Sequence, residues 1–417
     1  MSNTRGGRQN QQENSGRGGY RGGARGAGRG GNPWRGGSTQ TRGSPIQTDP
    51  GQPLYKSQRF SNSGGRGGFD SNSNSTEARG GGRGRGRVGD RLYNLAPSRM
   101  ELMASVSRSS GLEKGGDDLK NFKIQEEYRQ FIHGKLDQLI KRHYPRRFVN
   151  EKDAEKTHRV EEQENVLILF RKLREGVQAS KRKDDFALEV YETSLYLSIV
   201  FESPRQPPSI IPHLIPHLYQ TATCPQPLRL TTLILTLLYH LGTSYPSQTT
   251  FFKHLKSIPT ALLSKDSKAA RWITMLARSL RMKNYAQFER LSRITTLSSL
   301  LGGPIHGFLS IDSLTNSTRA QASQEYAHGA ILTTLDALRN KARETFWTVL
   351  RSSYRELGCT SNSGDTKEWI SRSLCMESPL SEDLTLESEA WLDQKAQEGH
   401  TRRKEGVEGR WIICKVS

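Results

Sequence analysis

Cysteine is rare in this chain: four among 417 residues (Cys224, Cys359, Cys375 and Cys414), with no CxxC pair. Such wide spacing argues against a zinc site or a disulfide framework and predicts ordinary reduced thiols. Long apolar runs are missing as well. No stretch approaches the roughly 18 consecutive apolar residues of a membrane helix, and the first residues are rich in Arg, Gly and Asn without the apolar core of a signal peptide. The expectation is a soluble, intracellular protein with no membrane partner. Local catalytic signatures such as GxSxG or HExxH are also absent, so a non-enzyme is expected. Two literal GxGxxG matches, at 26–31 and 84–89, neither follow a strand nor open a helix, and a dinucleotide site needs both. Gly302-Gly-Pro-Ile-His-Gly307 lacks the Lys-Ser/Thr of a phosphate loop and reads as a connection between helices. His213 and His217 stand four apart like a metal pair, but each follows a proline and no acid lies between them. Neither a cofactor nor a metal is expected.

Acids are few where arginine is densest. Residues 1–90 hold 25 of the 40 glycines and fifteen Lys/Arg against five acids, with almost nothing aliphatic. Such a segment buries too little apolar surface to offset about 1–2 kcal/mol per residue of backbone ordering entropy, so it reads as a disordered arm. Its arginines alternate with glycine and sparse aromatics: Arg17-Gly-Gly-Tyr20-Arg21, Arg25, Arg29, Trp34-Arg35, Arg66-Gly-Gly-Phe69, and Arg83-Gly-Arg85-Gly-Arg87. Guanidinium forks pair with phosphates, rings stack on bases, and glycine lets the backbone follow an irregular strand. RNA is the expected ligand, with single-stranded DNA as the alternative. The chain carries a net charge of +20, of which the arm supplies half, so the body is basic in its own right. That charge favours polyanionic partners through counterion release.

Beyond the arm, apolar residues recur at helical spacing. Helices are predicted over 119–143, 160–178, 186–201, 228–241, 248–256, 267–282, 285–299 and 330–357, with one brief helix near 213–219 among seven prolines. Two of them, 186–201 and 228–241, are apolar nearly all round and should lie inside a helical array. In 267–282, Ala269, Trp272, Ile273, Leu276 and Leu280 form the buried stripe, leaving Lys268, Arg271, Arg278 and Arg281 toward solvent. Asp365-Thr-Lys-Glu368 has the pattern of an N-cap with Glu at N3, opening a short helix to 374. Another short helix is predicted over 387–398, and two β-prone stretches follow about a Gly-containing turn. Helix, helix, helix, hairpin is the order of a winged helix; the alternative is a loose C-terminal helix pair with a frayed tail. The expected organisation is an arm over 1–90, a linker or degenerate element over 91–118, a helical-repeat region over 119–329 and a winged-helix-like region over 330–417.

Basic clusters punctuate the body: Lys141-Arg-His-Tyr-Pro-Arg146-Arg147, Arg171-Lys172 with Arg174, Lys181-Arg182-Lys183, and Arg402-Arg403-Lys404. The last falls in or near the predicted wing, where basic side chains meet a nucleic-acid backbone.

Several stretches together resemble the GANP/Sac-three family. Arg171-Lys-Leu-Arg174-Glu-Gly-Val-Gln178, followed by Ala187-Leu-Glu-Val-Tyr191-Glu192, is similar to one segment of that family, and 214–219 and 233–241 are similar to its next helices. Ala277-Arg-Ser-Leu-Arg-Met-Lys-Asn284-Tyr285-Ala-Gln-Phe288-Glu-Arg290-Leu291 resembles its Asn-Tyr-x-x-Phe-Phe-Arg-Leu signature, and Glu389-Ala-Trp-Leu392 with Gly409-Arg-Trp-Ile-Ile-Cys-Lys415 resembles its winged-helix end. Two departures mark a divergent member: the family's Cys-containing N-terminal element has no cysteine here, and Glu289 stands where the signature has its second Phe. The resemblance implies a PCI-like architecture of stacked helical hairpins capped by a winged helix. It also implies a second PCI-type subunit and a small acidic protein as partners, and a role in nuclear mRNA processing or export. The rival expectations are a centrosome- or spindle-type adaptor that binds acidic proteins, and an enzyme without a recognisable motif.

Overall fold

The apolar stripes become helices, and the protein is mainly α, as its periodicity predicts. The structure, a computed structural model, describes residues 97–106, 117–143, 151–222, 226–305, 319–359, 364–381 and 384–415. All of them belong to one unit, Val88–Ser417. The arginine-glycine arm lies outside the described residues.

A short helix α1 (Pro97–Glu101) and a tight turn at Asp118–Lys120 precede the antiparallel pair α2 (Phe122–His143) and α3 (Asp153–Ala179). Tyr128, Ile132 and Leu136 of α2 are buried, as are Phe170, Leu173 and Val177 of α3. Gly176 sits where the turn crosses α3: a Cβ there would lie 2.6 Å from the Leu119 carbonyl oxygen, so only glycine admits the approach. Helix α3 begins well before the expected 160. Its first turns carry no apolar stripe and are tied instead by Arg159, whose guanidinium donates twice to the Glu151 carboxylate at 2.9 and 2.8 Å.

Helix α4 (Asp185–Val200) starts at Asp184, whose carboxylate accepts from the Ala187 amide. It and α7 (Arg229–Thr243) are buried on almost every side, because α12 (Arg319–Ser353) packs against both. Between α4 and α7 the prolines shape α5 (Pro207–Pro212), a widened turn (His213–Leu218) and α6 (Tyr219–Thr221). Helices α8 (Thr249–Ser257), α9 (Lys268–Arg281), α10 (Tyr285–Leu291) and α11 (Ile294–Leu301) follow. The single helix expected over 285–299 is therefore two. Trp272 Nε1 donates to the Leu291 carbonyl at 3.1 Å, and Arg339 Nη1 donates to the Ser292 carbonyl at 3.4 Å as well as to its Oγ at 2.6 Å. These tertiary bonds draw off the groups a continuous helix would use.

The last part of the chain runs from α12 into β1 (Glu356–Gly358), α13 (Gly364–Ser373), α14 (Ser388–Gln397), β2 (Thr401–Arg403) and β3 (Arg410–Ile413). The three strands form an antiparallel sheet in the order β1-β3-β2, with Trp411 opposite both Leu357 and Arg403. This is the element order of a winged helix with α12 as its first helix. Strand β1 is an addition to the sequence reading, which carried the preceding helix into it, as far as Leu357. Helix α13 begins at Gly364, one residue ahead of the Asp365 expected to cap it.

Helix α12 also begins earlier than expected and crosses the 329/330 boundary unbroken. Its 35 residues span about 50 Å. Lys341 Nζ donates to the Gly242 carbonyl of α7 at 2.7 Å, while Arg343 donates to the Leu374 and Cys375 carbonyls at the end of α13, at 2.9 and 2.8 Å. Trp347 meets Trp391 of α14 edge-on at 4.9 Å. One helix thus serves both the stack and the winged end.

Candidate nucleic-acid interface

The wing was the sharpest sequence candidate, and its cations are largely engaged. Arg403 forks onto Asp393 of α14 at 2.7 and 2.9 Å and lies over the Trp411 ring. Lys404 Nζ donates to Glu356 at 2.9 Å, and Arg410 faces the other oxygen of that carboxylate at 3.8 Å. Arg402 alone of the triplet is exposed with no carboxylate within ion-pair distance among the described residues. A cleft of about 580 Å³ opens beside the hairpin, lined by Arg403, Lys404, Arg410 and Trp411 but also by Glu389 and Glu408.

Helix α14 holds the place of the helix that a winged helix uses to enter a groove. Its solvent side and its flanks carry Glu387, Glu389, Asp393 and Glu398. Its one lysine, Lys395, is buried at 4% exposure between Glu344 and Glu398. Glu389 pairs with Lys367, Asp393 with Arg403 and Glu398 with Lys395, so this face offers phosphate little net charge.

The residues that carry the family resemblance are brought together mostly as structural joints. Asn284 closes α9, its amide bonding to the Ser279 carbonyl at 2.8 Å, and opens α10, its Oδ1 accepting from the Gln287 amide at 3.0 Å. Tyr285 and Phe288 pack on Phe346 of α12, and Leu291 supplies the carbonyl for Trp272. Glu289, in the place of the family's second Phe, is buried and accepts from Arg293 Nε at 2.7 Å. Arg290 is exposed. Arg174 is buried at 5% exposure, donating to Gln206 at 2.7 Å and Ser209 at 3.3 Å over the Tyr191 ring. Burial pulls its guanidinium pKa down to about 10, with no carboxylate within ion-pair distance among the described residues. Arg171 pairs with Glu175, one turn on, and Gln178 faces solvent.

Glu192 accepts from the Tyr219 and Thr232 hydroxyls, and burial pushes its carboxyl up to about 7. A carboxyl so placed is suited to acid–base work, but Glu192 lines none of the described surface clefts, and its bonds join α4, α6 and α7. Burial likewise raises the Cys359 thiol, and raises that of Cys375 to about 11, which makes both poor nucleophiles. Cys224 lies outside the described residues. His213 rests on the Tyr191 ring at 5.6 Å while His217 faces solvent. A different trio, His143, His158 and Glu162, gathers its ligand atoms within 4.8 Å of one another. The Arg142 guanidinium occupies the same carboxylate, so the negative charge a cation needs is already neutralised there.

The sequence reading passed over where the uncompensated charge collects. Residues 203–324 contain thirteen Lys/Arg and three acids, a balance that matches the whole excess of the body. Of these cations, Lys253, Lys256, Lys265, Lys268, Arg271, Arg278, Arg281, Lys283 and Arg290 have no carboxylate within ion-pair distance among the described residues. The scarcity of acids over a long stretch was the informative signal. Compared with protein-family models, with curated proteins and with solved structures, the chain finds no match.

Proposed function

We propose that this protein is a non-catalytic RNA-associated scaffold of nuclear mRNA processing or export, in the manner of the GANP/Sac-three proteins it resembles. The observation that carries the reading is the run of thirteen cations against three acids over 203–324, which sits on a helical stack ending in a winged helix. Unpaired surface cations on a rigid body gain by replacing counterions with phosphates. The arginine-glycine arm adds sequence-tolerant affinity. The winged end suits protein contact better than RNA contact, because Lys395, Arg403 and Lys404 are already held by carboxylates; a PCI-type subunit is the partner the resemblance implies.

Crosslinking of full-length protein in cells, followed by sequencing, should recover RNA above the level of an untagged control. Recovery at control level overturns the reading. Affinity purification should return a second PCI-type subunit; a set made only of acidic centrosome or spindle proteins would favour the adaptor role instead.

A further inference from the structure

Helix α9 begins with a well-formed cap, Ser267 Oγ accepting from the Ala270 amide at 3.1 Å. It ends in a wrapped turn where Lys283 takes a left-handed φ of 52° and its amide bonds to the Leu280 carbonyl. Both ends being fixed, the solvent face is presented rigidly. Along it Lys268, Arg271, Met275, Arg278 and Met282 follow one another at steps of three and four residues, which places them in a single line. Arg281 flanks that line. The four cations span about 20 Å along the axis. The two methionines between them are 43% and 65% exposed, so apolar surface alternates with charge. Lys256 and Lys265 precede the helix and Arg290 follows it in the same acid-poor stretch of sequence, whose exposed carboxylate among the described residues is Asp266.

We infer that the solvent face of α9 is the track on which the body of this protein holds the phosphate backbone of single-stranded RNA, and that the wing is not. The inference rests on the RNA-scaffold reading and gives that reading a site. Cations with no carboxylate within ion-pair distance release counterions in full, whereas Arg403 and Lys404 of the wing must first break pairs with Asp393 and Glu356. The exposed thioethers offer polarizable surface to bases or riboses, which an exclusively acidic protein segment would leave unused.

The test uses the full chain. All fourteen arginines of residues 1–90 are replaced by glutamine so that the arm does not mask the body, and binding of a labelled single-stranded RNA oligonucleotide is titrated against salt. Adding Lys268→Gln, Arg271→Gln, Arg278→Gln and Arg281→Gln should weaken binding about a hundredfold near 0.1 M salt and make the salt slope shallower by about 3. Circular dichroism checks that the helices persist. Arg402→Gln, Arg403→Gln and Lys404→Gln together should change the slope by less than about 1. Retained affinity and slope in the α9 variant, or no binding by the arm-neutral chain while the unaltered chain binds, overturns the α9 site alone. No binding by the unaltered chain overturns the RNA reading itself. Polyaspartate of matched charge should compete poorly; competition equal to that of RNA would assign the face to acidic proteins.

Discussion

Gly176 and Glu192 show how single side chains set the geometry of the stack. At Gly176 the missing Cβ is what lets the Leu119 turn lie against α3. Gly176→Ala therefore forces that turn outward, at a cost of about 1–3 kcal/mol, read as a lower urea midpoint with an unchanged m-value. The position was not legible in the sequence, where Gly176 is an unremarkable break in helix propensity; the contact that demands it comes from a residue far back in the chain. Glu192 was noticed for its place in the Tyr191-Glu192 resemblance, but its burial was not. Its folded-state pKa of about 7 lies above that of an unfolded glutamate, so the native state holds more protons across the interval from about 4.5 to 7. The linkage makes stability fall as pH rises through that window. Glu192→Gln keeps an acceptor for Tyr219 without the charge. It should gain stability over the unaltered protein between pH 5 and 8, by at most about 3 kcal/mol. A Tm difference independent of pH would contradict the assignment.

Helices dense in apolar residues were legible as elements: α4 through its all-round apolar run, α9 through its Trp272-Ile273-Leu276 face. Elements fixed by long-range bonds were not. The first turns of α3 and of α12 are polar, so no periodicity announces them, and β1 is only three residues long, paired with a strand at the far end of the region. The division between α10 and α11 depends on Trp272 and Arg339, which reach in from other helices. Arg343 is the residue to test at this scale, since its guanidinium gathers the carbonyls that end α13. Arg343→Met should leave those acceptors unpaired and destabilise the winged end by about 2 kcal/mol or more. Hydrogen exchange should quicken in α13 and α14 while α4 and α7 keep their protection. Uniform loss of protection would mean that the winged end and the stack unfold as one.

For the molecule as a whole, the charge of 203–324 is a standing self-repulsion that the helical stack must withstand. Salt shortens the reach of that repulsion, from a Debye length of about 30 Å at 0.01 M to about 8 Å at 0.15 M. The Tm of the full chain should accordingly rise by a few degrees across that range; a fall would show that ion pairs such as Arg403–Asp393 contribute more than the repulsion opposes. Net charge was legible from composition, but its placement was not, because pairing by Asp393, Glu356 and Glu398 is a product of the fold. Helix α12 gives this placement a directional meaning. It is a single rod that, from Asp336 to Phe346, holds contacts to the stack and to the winged end together. A subunit that grips the winged end therefore also aims the α9 face, as a handle aims a blade, and the path of a bound strand across an assembly would be set by the angle at which that one rod is held.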